Sequence, residues 1–177
     1  GIKVASSARV AALSHNAQVE VITTSLNLMG SIYAGYDEGT GGLTASGVAG
    51  TLTLNLTDGL MMGGDEAGVT HHGNLRATGF INAVIGRDTN GVSLTMSSNS
   101  QILAGSDQAA SAEITIVTDG EISQKGTILA KRDLALTGLT NRADIDITTR
   151  DYIRIDGLVR AADQLSIDAS SDENGLG

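Results

Sequence analysis

ITIVTDGEISQKGTILAKRDLAL (residues 114–136) and IDITTRDYIRIDGLVRAADQLSI (residues 145–167) carry one pattern twice, 31 positions apart. The first copy places Ile114, Ile116, Thr118, Ile122, Gly126, Ile128, Ala130, Leu134 and Leu136. The second places Ile145, Ile147, Thr149, Ile153, Gly157, Val159, Ala161, Leu165 and Ile167 at the matching positions. Apolar residues recur at i and i+2 between polar, Gly-bearing breaks, an alternation that puts one set of side chains on one face of a strand. Strands this short cannot bury an apolar face alone; a recurring unit buries it by stacking on its neighbour. The pattern predicts an all-β fold, a parallel β-helix (β-solenoid), with the aliphatic members of both copies in its core.

Working outward, GSIYAG (30–35) and QILAGS (101–106) are partial copies of GTILAK (126–131) and GLVRAA (157–162). TLTLNLT (51–57) is the cleanest alternating strand, with Leu52, Leu54 and Leu56 expected to face inward. Val19 and Val21, Leu26 and Leu28, and Val92, Leu94 and Met96 alternate in the same way. YDEGTGG (36–42) reads as a loop rich in turn formers, and LMMGGDEAG (60–68) as a break. Segment 69–90 is the least regular and reads as a distorted coil or an insertion. Residues 1–18 read as an irregular first coil, with a helix over 5–13 as the competing reading. No Pro- or Ser-rich linker divides the chain, so residues 1–177 form one domain, closed by the polar SSDENGLG.

Coil length has two readings. The matched copies give 31 residues. The series Leu94, Ile116, Leu136, Ile155 steps by 22, 20 and 19. The shorter step is preferred: irregular coils of about 20 residues, about nine turns, and a rod on the order of 40 Å at the ~4.8 Å strand spacing.

Composition agrees. Of 177 residues, 41% are apolar, but the only rings of Phe, Tyr or Trp are Tyr33, Tyr36, Phe80 and Tyr152, which suits a narrow aliphatic interior. With 23 Gly and no Pro, nearly every backbone N–H is free to serve a ladder. The absence of Cys excludes a disulfide framework and thiolate metal sites. A net charge of −9 argues against nucleic acid and anionic membrane as partners. No stretch has the ~18 apolar residues of a membrane-spanning helix. The opening GIKVASSARV has neither Met nor an apolar h-region, so the chain reads as a processed product or an interior piece of something longer.

GTILAKRDLALTG (126–138) and ADIDITTRDYIRIDGLVRAADQLSIDAS (143–170) resemble the repeats of filamentous haemagglutinin-like large exoproteins, the stalks of two-partner-secretion adhesins. The shared cycle is G-x-I/V-x-A, a polar turn containing Asp, then L-x-L/I. It is carried by Gly126–Ala130 with Leu134–Leu136, and by Gly157–Ala161 with Leu165–Ile167. The resemblance implies a right-handed parallel β-helix, export through an outer-membrane partner barrel, and a place at the bacterial cell surface or in the secreted matrix. It implies attachment or biofilm formation through weak repeated contacts with host or matrix glycans and proteins.

Few residues invite a chemical reading. His71-His72 lies near Asp65 and Glu66, but adjacent residues on a strand point to opposite faces, and His15 is distant in sequence. GGDEAG (63–68) hints at calcium, yet the calcium-binding nonapeptide is not repeated. Asp144, Asp146, Arg150, Asp151 and Arg154 would be the carboxylate-plus-cation cluster of a polysaccharide-active β-helix, with Tyr152 as its one aromatic platform. Lys131-Arg132-Asp133 reads as a charged turn between strands. The expectation is therefore no catalytic residue, no metal site and no cofactor: a non-catalytic shaft segment of an adhesin. A polysaccharide-active β-helix enzyme and a self-assembling β-solenoid filament subunit are the alternatives.

Overall fold

The computed structural model describes residues 1–14, 16–37, 42–43, 50–66, 69–106, 109–138 and 140–170. The described residues climb in six tiers. The first holds β1 (Ile2–Val4), β2 (Arg9–Ala12) and β3 (Gln18–Thr23). The second holds β4 (Leu26–Leu28), β5 (Ser31–Ala34), a side hairpin of β6 (Tyr36–Asp37) and β7 (Gly42–Leu43), then β8 (Thr51–Leu56). The third holds β9 (Leu60–Met62), a second hairpin of β10 (Gly64–Glu66) and β11 (Val69–His71), then β12 (Asn74–Ala77) and β13 (Phe80–Ile85). The fourth is β14 (Val92–Met96), β15 (Gln101–Gly105) and β16 (Ala112–Thr118). The fifth is β17 (Glu121–Gln124), β18 (Thr127–Lys131) and β19 (Ala143–Thr149). The sixth is β20 (Ile153–Ile155), β21 (Leu158–Ala161) and β22 (Gln164–Ala169).

Each tier gives one strand to each of three parallel six-stranded sheets, β1-β4-β9-β14-β17-β20, β2-β5-β12-β15-β18-β21 and β3-β8-β13-β16-β19-β22. This is the arrangement of a parallel β-helix, and no helix occurs among the described residues. Parallel register puts like side chains over one another. In the third sheet Leu52, Ile81, Ile114 and Ile145 form one inward row, and Leu54, Ala83, Ile116 and Ile147 the next. All eight are at most 4% exposed. Each aliphatic removed from water here contributes roughly 1.5–3 kcal/mol.

The 31-residue spacing is the pairing register itself: Ile114 lies beside Ile145, Ile122 beside Ile153 and Ile128 beside Val159. The preferred coil of about 20 residues is met only near the ends, as from Ile145 to Leu165. Elsewhere partners lie further apart, up to Ile32 and Leu75. The series stepping by about 20 joined residues of different sheets, since Leu94 belongs to the first and Ile116 to the third. Six tiers replace the expected nine turns, and five spacings of about 4.8 Å give a stack of roughly 24 Å.

Connections between tiers vary because they leave the stack at its corners. The corner before the second sheet admits only small residues: Ala8, Gly30, Gly73, Ser100, Gly126 and Gly157. A Cβ on Gly126 would run into the carbonyl oxygens of Ser97 and Ser100, and one on Gly157 into those of Lys125 and Gly126. Buried hydroxyls satisfy the backbone at other corners. Thr118 and Thr149 both donate to the Gly120 carbonyl, at 3.1 and 2.8 Å, while the Gly120 N–H donates to Ser93 Oγ at 2.9 Å.

Of the two readings of residues 1–18, the first coil and not the helix over 5–13 is the one seen: Ala8-Arg9-Val10-Ala11-Ala12 is the first-tier copy of the second-sheet pattern, and β2 pairs with β5. Two further expectations need correction. Of segment 69–90 only β11, the second arm of the β10–β11 hairpin, lies outside the stack, because β12 and β13 run in full register with their neighbours. Leu134 and Leu136 are not core: they sit in the connection between β18 and β19, 68% and 39% exposed. Leu165 and Ile167 do take inward positions in β22, but on the last tier, where both stay more than 40% exposed.

Two substitutions separate these classes. Ile116→Asp or Ile147→Asp buries a charge without a partner and is expected to cost more than about 4 kcal/mol. Leu134→Asp is expected to change stability by less than about 0.5 kcal/mol. Thermal unfolding of the three variants beside the parent measures both. At the corner, Gly126→Ala is expected to cost about 1–3 kcal/mol by overpacking, and a melting temperature equal to the parent's would remove the small-residue argument.

Candidate functional site

The His71-His72 pair borders a groove of about 450 Å³ with Ser6, Arg9, Met29, Thr70 and Asn74. His72 Nδ1 lies 3.2 Å from the Asn99 carbonyl oxygen, which ties the ring to the neighbouring tier. His15 and residues 67–68 of the GGDEAG loop lie outside the described residues, as do the side chains of Asp65 and Glu66. Among the described residues no three His, Asp or Glu side chains converge as metal ligands would.

The acidic and basic residues between 144 and 154 are dispersed. Asp144 and Asp146 stand on the outer face of the third sheet; Arg154 stands on the first. Asp144 receives Arg142 Nε at 3.0 Å and the Gln164 N–H at 3.0 Å. Arg154 pairs with Asp156 at 2.7 Å, and Arg150 reaches Asp119 at 3.8 Å. Asp151 Oδ1 accepts the N–H of Tyr152, whose side chain is 61% exposed. Two carboxylates flanking one bond, with a cation beside them, are not brought together.

The built constellation is the turn at Lys131-Arg132-Asp133. Arg132 donates through Nε and Nη2 to the two carboxylate oxygens of Asp163, at 2.6 and 2.8 Å. This is the forked geometry of a strong Arg–carboxylate pair. Its Nη1 also donates to the carbonyls of Asp133 and Leu136, at 3.0 and 3.1 Å. Asp163 accepts the Ala143 N–H at 2.7 Å, where β19 begins. Asp133 shapes the same turn by accepting the Ala135 N–H at 2.8 Å. The guanidinium of Arg132, followed by the Ala143 N–H, pulls the Asp163 carboxyl down to about 2, and the carboxylate in turn raises Arg132. These contacts hold the β18–β19 connection against the sixth tier. The sequence showed the charged turn at 131–133 but not its partner, because Asp163 is 31 residues away and reaches it only through the tier register.

Beside this clamp a groove of about 420 Å³ is lined by Leu129, Lys131, Leu134, Leu158 and Arg160. A third groove, of about 390 Å³, runs along the first sheet past Asn27, Asp58, Met61 and Asp88. Asp88 is held low chiefly by the Val92 N–H, and it accepts the Asn90 N–H as well, forming the turn into β14.

Fold and site together define a parallel β-helix in which the forked Arg132–Asp163 pair braces the β18–β19 connection. No protein family, curated protein or solved structure matches the chain. No helix among the described residues is long and apolar enough to cross a membrane.

Because the folded Asp163 carboxyl titrates below its ordinary value of about 3.9, the clamp is complete above about pH 4. Its contribution is lost as pH falls toward about 2. Protection of the amides around residues 132–142, taken relative to their intrinsic exchange rates at each pH, is expected to fall over that interval. In Asp163→Asn that protection should already be low at pH 7 and change little below pH 4. Equal pH dependence in the two proteins would dismiss the clamp.

Proposed function

We propose that this chain is a structural, non-catalytic shaft segment of a secreted or surface-displayed bacterial adhesin of the filamentous haemagglutinin-like kind. The observation that carries the reading is the unbroken stacking of inward rows through the middle tiers, with side chains at most 4% exposed in the third sheet from Leu52 to Ile147. A stack of this kind transmits load along its axis through ladder hydrogen bonds and aliphatic contacts, which is what a shaft requires. We take the coil to be right-handed, the sense that parallel β crossovers adopt in about 98% of cases. Export through an outer-membrane partner barrel follows from the same family reading.

The outer face of the third sheet offers the ligand-facing surface. Glu20, Thr53, Asn82, Thr115, Asp146 and Ser166 stand in one row, a polar group at every tier. Single contacts of such groups with glycan or protein are weak, and a repeated row gains strength by avidity. A polysaccharide-active enzyme would place carboxylates around one bond, whereas Asp144 and Asp146 stand on the third sheet and Asp156 pairs with Arg154 of the first.

The purified chain, clustered on beads, is expected to retain on glycan- or matrix-coated surfaces, and the same chain offered singly is expected to wash off. It is expected to release no reducing ends from acidic polysaccharides; turnover on any of them would overturn the non-catalytic reading. The denatured native chain from source material is expected to be much heavier than 18.0 kDa. A native mass near that value would overturn the long-shaft reading.

A further inference from the structure

The outer faces of the second and third sheets carry opposite charge. The strands of the third sheet hold five acidic residues, Glu20, Glu113, Asp144, Asp146 and Asp168, and no Lys or Arg. All five stand at outward positions, alternating with the inward rows. Arg142, just before β19, reaches the edge of this face to hold Asp144. The strands of the second sheet hold four basic residues, Arg9, Arg76, Lys131 and Arg160, and no Asp or Glu. These too take outward positions. In a chain of net charge −9, a flank with cations and no carboxylate runs against the overall balance.

Both flanks also leave aliphatic side chains in water. On the third sheet Val84 and Val117 are neighbours in one outward row, 54% and 41% exposed. On the second, Leu129 and the exposed Leu134 line the groove of about 420 Å³ together with Lys131 and Arg160. Elsewhere this flank is closed: Tyr33 is buried, with the Arg76 guanidinium 5.9 Å from its ring centre. Val84, Val117 and Leu129 lie on the third, fourth and fifth tiers, in strands paired on both sides, so their exposure is that of a flank and not of an end. An acidic face with an aliphatic ridge is complemented by a basic face with an aliphatic groove. A second copy presents one at the same spacing: Lys131 and Arg160 stand on successive tiers, as Glu113 and Asp144 do, about 4.8 Å apart.

We propose that copies of this chain pack side by side, the outer face of the third sheet of one against the outer face of the second sheet of the next. Val84 and Val117 lie over the Leu129–Leu134 groove, and the carboxylates of the third sheet face Lys131 and Arg160. The contact uses a different surface on each partner, so every added copy still offers its own acidic face, and the row either continues or closes into a ring. Packing of this kind does not depend on the adhesin reading, and the last copy of an open row keeps its acidic face available to other ligands.

Blocking one flank at a time tests it. Val117→Lys sets a cation on the acidic face, where it meets the partner's cations, and Leu134→Glu sets a carboxylate in the basic groove. Both side chains are exposed in the parent, and circular dichroism checks that each variant folds. In sedimentation at low salt the parent is expected to form multimers that grow with concentration. At about 1 M salt, where the screening length is about 3 Å, they are expected to fall apart. Each variant alone should remain a single copy. An equimolar mixture should form a one-to-one pair, because the intact basic flank of Val117→Lys meets the intact acidic flank of Leu134→Glu. A parent that stays single up to its solubility limit at low salt overturns the proposal. So does assembly that survives both substitutions or strengthens with salt, which would mark apolar stacking of the tiers end to end, and so does a mixture of folded variants that fails to pair.

Discussion

Parallel register is the constraint on which this structure depends. When tiers stack in register, each inward side chain rests on the residue one coil earlier, so a single aliphatic choice is repeated along a whole row. Ile116 lies between Ala83 and Ile147, and the small Ala83 shows how the row tolerates change in volume without changing its face. A slip of one residue would turn every inward side chain outward. The pattern is therefore fixed most firmly where the rows are most apolar, in the third sheet, whose interior strands are also the longest.

The second constraint is at the corners. A tier must turn without lifting its neighbour, and the residue that turns lies against backbone oxygen of the tier beside it. That is why the second-sheet strands read small-x-aliphatic-x-Ala in all six tiers, from Ala8-Arg9-Val10-Ala11-Ala12 to Gly157-Leu158-Val159-Arg160-Ala161. Connections are otherwise unconstrained in length. The two side hairpins and the β18–β19 connection change the spacing between tiers without disturbing the stack, because they leave it outside the ladder.

Much of this was legible in the sequence. The 31-residue repeat is the register of six of its nine matched pairs, from Ile114 with Ile145 to Ala130 with Ala161. The inward faces of β8, β16 and β19 follow from alternation alone. Where the sequence reading stayed open or failed, the reasons are physical. Ala8 to Ala12 carries helix-favouring residues, which kept a helix as the competing reading; pairing with β5 makes it a strand, and local propensity has no access to that partner. Leu134-Ala135-Leu136 alternates as well as Leu165-Ser166-Ile167 does, yet Arg132 pins its backbone carbonyl and Asp163 pins Arg132, so the segment becomes a turn. Alternation states what a strand would bury. Whether a strand forms is decided by what lies beside it.

The clamp also shows how charged side chains meet among the described residues. In a globular enzyme, loops from several elements gather at one end of a sheet and bring distant side chains to one point. In a coil that rises by one strand spacing per tier, residues 31 apart become neighbours, while residues a few positions apart move to different faces. Asp144 and Arg154 are separated in this way, and Arg132 and Asp163 are joined by it. Any chemistry on such a scaffold must be written at the tier period, along a row. The rows that carry polar groups at that period here lie on the outer face of the third sheet, where Glu20, Thr53, Asn82, Thr115, Asp146 and Ser166 differ from tier to tier. A row of unlike polar groups favours many weak contacts over one strong one.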